Sequence, residues 1–229
     1  MIIADGYDWS MIVHRTALRD AQTARADVLA KLGDIPAERL FEDDFDAPAT
    51  VERWIAVGGP SNMIELVDGY LVRKALGVEA SVVASAIIAL LQPFIRQQRL
   101  GFITAPDGMH RMRRGNRRGP DVGVTLRASL GPKRPMRGPA APIAPDLAVE
   151  VLSPGNTRRE MTNKRTEYFD SGTRLVWIVD VENRSVAVYT GVEEFEVLGA
   201  DDTIDGGEVL PGFTARVAEF FEDLDEQSV

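Results

Sequence analysis

Residues 145–168, PDLAVEVLSPGNTRREMTNKRTEY, set two carboxylates into an apolar strand and follow them with a capped helix that carries Lys164. Strand alternation puts Asp146, Ala148, Glu150 and Leu152 on one face and Leu147, Val149 and Val151 on the other, so both acids look the same way. Burying a lone ionised carboxylate costs several kcal/mol or shifts its pKa. A fold that keeps this strand must therefore supply a shared cation, a lysine, or an exposed edge position. Asp121 follows Pro120 in PDVGVTL, another short run rich in β-branched residues, and offers a further carboxylate from a neighbouring strand.

The means of satisfying these acids are restricted. With no cysteine the chain has no disulfide, thiolate zinc site or cysteine nucleophile, which fits a reducing cytoplasm. Imidazole comes only from His14 and His110, far apart in sequence, so a bound metal would be a hard, oxygen-ligated ion such as Mg²⁺ or Mn²⁺. At 229 residues and 45% apolar content the chain fits one domain with an appendage, or two small ones. The start MIIADGYDWS lacks the basic flank and apolar run of a signal peptide, and no stretch reaches the roughly 18 uninterrupted apolar residues of a membrane span.

A net charge of −9 argues at first sight against a nucleic-acid partner, yet the charge is unevenly placed. Between 111 and 137 stand nine basic residues, namely Arg111, Arg113, Arg114, Arg117, Arg118, Arg127, Lys133, Arg134 and Arg137, with Asp121 the sole acid. A block of +8 that brackets a candidate site acid can draw a polyanion to the site while the rest of the surface repels it. The plain alternative is a solvated loop.

The remaining pattern gives an element order. ALRDAQTARADVLAKL has helical spacing and FEDDFDAPAT reads as a charged linker. MIELVDGYLVRK reads as a β-hairpin turning at Asp68-Gly69. GVEASVVASAIIALLQPFIRQQRLG reads as a buried helix, kinked or split at Pro93. GFITAP, PDVGVTL and PDLAVEVL are successive strands, and the segment ASLGPKRPMRGPAAPIAP between the last two is a long loop by composition. Thr157 and Glu160 form a T-x-x-E capping box, which predicts a helix from about Arg158 to Ser171 stopped by Gly172. LVWIVDVENRSVAVYT and EEFEVL supply three more strands, and LPGFTARVAEFFEDL a short helix after Pro211 and Gly212.

Carboxylates on strands beside a lysine-bearing helix suit phosphodiester hydrolysis. Two carboxylates can hold divalent ions, a lysine can orient or deprotonate water or offset charge on phosphate, and the Val151 carbonyl can add a ligand. Glycine-rich phosphate loops of either common type are missing, which disfavours nucleotide-driven chemistry. IELVDGYLVRK, GPDVGV, PDLAVEVLSPGNTRREMTNKRTEYFDSGTRLVWIVD and a terminal LPGF together resemble the Uma-two family of restriction endonuclease-like proteins, in the PD-(D/E)XK nuclease superfamily, over residues 60 to 221. The resemblance implies an α/β (α+β) fold, a mixed central β-sheet flanked by helices, over residues 58–229; residues 1–57 read by composition and spacing as an acidic, largely helical extension outside the family pattern. The resemblance further implies Mg²⁺- or Mn²⁺-dependent DNA cleavage, with Asp121 and Glu150 as metal ligands and Lys164 as the catalytic lysine. Homodimers are common in such folds. The usual lysine position two residues after the strand acid is Leu152 here, so Lys164 must reach the site from the helix. Where relatives carry a histidine near the start of the long helix, this chain has Glu79, Ala80 and Ser81.

Each candidate has a structural alternative. Asp121 can pair with Arg117 or Arg118, Asp146 can simply start its strand, and Lys164 can be a surface partner of Glu160. Glu65, which resembles the family's hairpin acid, can be an exposed strand residue. Tyr168 and Trp177 read as core. At the level of the whole chain the alternative is a non-catalytic nucleic-acid-binding or protein-interaction module that retains the nuclease fold.

Overall fold

The computed structural model describes residues 22–41, 47–131 and 135–225. After a helical segment at 22–31, the chain forms α1 (Val51–Ala56), β1 (Ile64–Val67), β2 (Tyr70–Arg73), α2 (Val78–Gln97) and β3 (Gly101–Thr104). Next come β4 (His110–Arg111), β5 (Arg117–Arg118), β6 (Val122–Leu126), α3 (Arg127–Leu130), β7 (Leu147–Val151), α4 (Arg158–Asp170) and β8 (Leu175–Asp180). The last elements are β9 (Ser185–Tyr189), β10 (Phe195–Gly199), β11 (Thr203–Gly206), β12 (Leu210–Arg216), a 3-10 turn at Val217–Phe220, and α5 (Glu222–Asp225).

The central sheet runs β10-β9-β8-β7-β6-β3, mixed because β7 and β8 are parallel while the other neighbours are antiparallel. A parallel pair needs a crossover, and α4 is that crossover. The alternation read from the sequence decides what covers each face of β7. Leu147, Val149 and Val151 join Val83, Ile87, Leu91 and Ile95 of α2, while Ala148 packs with Tyr168 of α4 and Val176 of β8. Burial on both faces explains the near-continuous apolar run, and leaves Glu150 as a charge inside it.

α2 is continuous through Pro93, which is exposed. By length and mean hydropathy (1.9) it matches a membrane-spanning helix, yet it lays one face on the sheet. The hairpin turns as expected, with Asp68 and Gly69 both at positive φ (49° and 84°) and Val67 paired to Tyr70. It belongs to a second sheet, β2-β1-β5-β4. Pro211 and Gly212 do not lead into a helix. They lie in β12, where Leu210, Phe213 and Ala215 alternate inward, and helical geometry starts only at Val217. A register shift at Asp205/Gly206 of β11 accommodates the irregular start of β12.

Residues 22–41 dock on the hairpin and on α4. Val28, Leu32, Ile35 and Leu40 pack with Val67 and Val72. Arg39 is buried, donating to Arg73 O (2.9 Å), Gly155 O (2.8 Å) and, bidentately, to Glu160 (2.7 and 2.8 Å). Thr157 caps α4 as expected, accepting from Glu160 N at 3.0 Å. The Glu160 carboxylate serves Arg39 and Asn156. Much of the acidic linker, residues 42–46, lies outside the described residues, as does everything before residue 22.

Candidate active site

Six elements bring three carboxylates and three cations into one buried cluster. β1 contributes Glu65, the turn before β6 Asp121, and β7 Glu150; α4 contributes Lys164, the residue after β2 is Lys74, and β5 ends in Arg118. Lys164 Nζ donates to Glu150 Oε2 at 3.1 Å and lies 3.7 Å from Glu65 Oε1. Tyr168, one turn further along α4, donates its hydroxyl to Glu150 Oε1 at 2.6 Å. Glu65 accepts from Arg118 Nη1 (2.9 Å) and Gly119 N (3.1 Å), and Arg118 Nε is held by Glu167 at 2.8 Å. Asp121 bridges to β7, accepting from Val151 N at 2.8 Å, and takes Lys74 Nζ at 3.0 Å. Lys74 donates also to Pro106 O at 3.1 Å.

Burial differs between the acids. The Glu65 and Glu150 side chains are 0% and 5% exposed, against 16% for Asp121, so Asp121 marks the side on which the cluster meets solvent. Burial by itself would raise the Glu65 pKa, but Lys164, Arg118 and Lys74 outweigh it and hold it at about 2. The Glu150 pKa is raised, because its own burial together with the nearby Asp121 and Glu65 charges exceeds the relief from Lys164 and Lys74. Burial opposes the charge on Lys164, yet Glu150 and Glu65 reverse this and raise its pKa above the ordinary lysine value. Lys164 is an ammonium at neutral pH.

The structure thus brings Glu65, Asp121, Glu150 and Lys164 together. Lys164 is buried in the cluster and is not a surface partner of Glu160, and Asp121 pairs with Lys74 in place of the arginines considered from sequence. Asp146 lies at the other end of β7, where Leu126 N (2.7 Å), Ser129 Oγ (2.5 Å) and Arg174 (2.9 Å) use its carboxylate to fasten β7 to its neighbours. The basic block is not one solvated loop. Arg117 and Arg118 are buried in β5, the former donating to Gly115 O and Asn116 O, so neither is free for phosphate. Arg111, Arg113, Arg114 and Arg137 are exposed; Lys133 and Arg134 lie outside the described residues. Sequence reasoning missed Lys74 as a partner of the acids, offered Arg118 to Asp121 where it serves Glu65, and took Tyr168 for packing alone. The last had a signal, since four residues on a helix return a side chain to the face of Lys164.

Next to Asp121, Gly123 of β6 meets the buried His110. A Cβ there would lie 2.6 Å from Thr104 Oγ1 and 2.8 Å from His110 Nε2, so GPDVGV needs its second glycine for this close approach. His110 Nδ1 donates to Ile143 O at 3.1 Å, leaving Nε2 to accept from Thr104 at 3.0 Å. Burial lowers its pKa to about 4, against a weaker opposing effect of the Ile143 carbonyl.

A hard divalent ion suits the donors. Asp121, just before β6, and Glu150, on the adjacent β7, offer carboxylate oxygens linked through the Val151 amide, and Mg²⁺ typically uses one or two protein carboxylates with water. With Glu167 counted, four carboxylates face three cations, so the network retains one negative charge. Lys74 and Lys164 already contact the two ligand carboxylates, and among the described residues no three acidic or imidazole side chains form a ready-made metal cluster.

A family described as "Putative restriction endonuclease" (Uma2) matches residues 48–218. No curated protein matches the chain. Among solved structures, "a putative nuclease belonging to DUF820" from Anabaena variabilis ATCC 29413 superposes with a TM-score of 0.67 at 19% identity, covering 76% of this chain and 98% of the other. That likeness shows a shared fold, the mixed sheet flanked by helices. Since the family match spans most of the sequence and contains Glu65, Asp121, Glu150 and Lys164, the chain belongs to the Uma2 family of restriction endonuclease-like proteins.

Proposed function

We propose that the protein is a divalent-metal-dependent DNA endonuclease that hydrolyses phosphodiester bonds. The observation that carries this reading is the buried convergence of Glu65, Asp121 and Glu150 on Lys164 and Lys74, a costly arrangement that packing alone does not require. Asp121, Glu150 and the Val151 carbonyl would hold Mg²⁺ or Mn²⁺, which when bound supplies a Lewis acid and a water of lowered pKa. Lys164, locked in its charged form, orients water and offsets negative charge on the phosphate, and does not act as the base. Glu65 with Arg118 fixes Lys164 from behind, and Tyr168 fixes the Glu150 carboxylate. Arg111, Arg113, Arg114 and Arg137 engage the DNA backbone from the exposed part of the basic block.

The test is Mn²⁺ calorimetry and cleavage of plasmid DNA with wild type and Glu150→Gln. Metal binding and cutting that both vanish in a folded mutant support the assignment; a mutant that cuts as fast as wild type refutes it. One observation favours a second reading, a non-catalytic nucleic-acid-binding module: the lysines already neutralise most of the charge an ion would. Salt-sensitive DNA binding indifferent to metal and to Glu150 would select it. A homodimer is proposed on the family resemblance alone and a cytoplasmic location on the lack of cysteine; sedimentation would test the dimer.

A further inference from the structure

A cavity of about 390 Å³ lies on the face of the central sheet that α4 covers, between that helix and strands β8 and β9. It is within the size range of small-molecule sites, about 300–1,000 Å³. Leu152, Met161, Ile178 and Tyr189 form its apolar walls, and Arg158 and Arg165 are the only charged residues that line it. It adjoins the acidic cluster by construction. Ile178 pairs in register with Glu150, and Leu152 and Ser153 directly follow Val151, whose amide holds Asp121.

Among the buried side-chain nitrogens and oxygens that line the cavity, one has no partner. Ser153 and Asn156 bond each other, Thr157 caps α4, and the Thr162 hydroxyl donates to Arg158 O. Arg165 is 9% exposed, yet its buried Nε has no partner. Its guanidinium lies 4.3 Å from the Tyr189 ring centroid, and its one carboxylate contact, Glu193 at 3.5 Å, is with a side chain 79% exposed. A buried guanidinium with unused donor capacity, beside an exposed second arginine and apolar walls, is complementary to an anion joined to a flat apolar group.

We infer that this cavity holds one nucleotide of a nucleic-acid strand beside the scissile position, its phosphate on Arg165 and Arg158 and its base against Leu152, Met161 and Ile178, with the Tyr189 ring, stacked on Phe195, backing the Arg165 guanidinium. This rests on the nuclease reading for the identity of the strand, but not for the binding itself. A free nucleotide shares the chemistry and is separated by the test.

The experiment measures anisotropy of a 5′-labelled single-stranded oligonucleotide in EDTA, with full-length wild type, Arg165→Gln and Thr162→Trp. The second variant fills the cavity from an exposed lining position if the first fails to fold. Arg165→Gln is expected to bind about 10-fold more weakly, through loss of a charge-assisted phosphate contact, and a folded Thr162→Trp at least as weakly because its ring takes the nucleotide's place. Unchanged affinity in a folded variant overturns the assignment, as does Arg165-dependent calorimetric binding of dTMP without any for the oligonucleotide. Arg165-dependent strand binding in a protein that never cuts DNA would refute the nuclease reading and keep the cavity. Cleavage with unchanged KM in Arg165→Gln would refute the cavity and keep the nuclease.

Discussion

A lysine held between two carboxylates keeps its proton, and this sets what Lys164 does in the folded protein. Replacing it by alanine leaves Glu150 and Glu65 with less compensation in a buried space, so Lys164→Ala should lose about 3–5 kcal/mol, read from urea denaturation. Lys164→Arg should retain more of that stability than alanine. Tyr168→Phe removes one bond to Glu150 while Lys164 remains, and should cost about 1–3 kcal/mol. His110 gives a pH dependence. Its folded pKa of about 4 lies below the ordinary 6.5, so the unfolded chain takes up a proton first as pH falls. The stability it contributes is complete above 6.5 and is lost progressively towards 4, by roughly 3 kcal/mol. Urea midpoints of wild type should therefore fall more steeply between pH 7 and 4.5 than those of His110→Gln. The acids and Lys164 were legible because each breaks an apolar or capped pattern. Lys74 was not, since a basic residue just beyond an exposed hairpin strand end carries no mark of being buried.

The strands around the site were readable from alternation, and α4 from its cap and its terminal glycine, because local rules agree with the packing there. Disagreement arose where tertiary pairing overrode a local signal. Arg117 and Arg118 enter a sheet despite their charge because Glu65 and Glu167 and nearby carbonyls satisfy them, and β12 absorbs a Pro-Gly pair because β11 shifts register opposite it. The segment at 22–41 gave no hint of where it docks. Its Arg39 ties the end of β2, the turn at Gly155 and the first turn of α4, thereby joining the elements that carry Lys74 and Lys164. Arg39→Ala leaves Glu160 buried without its guanidinium, and should cost about 3–5 kcal/mol by urea denaturation. A chain begun at residue 48, where the family match starts, should melt at lower temperature than the full chain.

At the scale of the molecule, an acidic protein that binds DNA must do so through a confined basic surface. Arg113→Gln should weaken DNA binding about equally for all sequences and reduce the slope of log K against log salt by about 1, if it meets one phosphate. The buried cluster has a different reach. Gathering Glu65, Asp121 and Glu150 out of water demands positive charge before the fold can close, and Lys74, Lys164 and Arg118 provide it from within the chain. Folding is thereby uncoupled from ion supply, and EDTA should leave the melting temperature unchanged where an ion-dependent fold would fall apart. The tethered ammonium groups are permanent competitors for the same oxygens, so on the proposed metal-dependent reading an ion would have to displace an incumbent; occupancy would then follow the free divalent ion level, and the protein would stay assembled in an idle form whenever that level dropped.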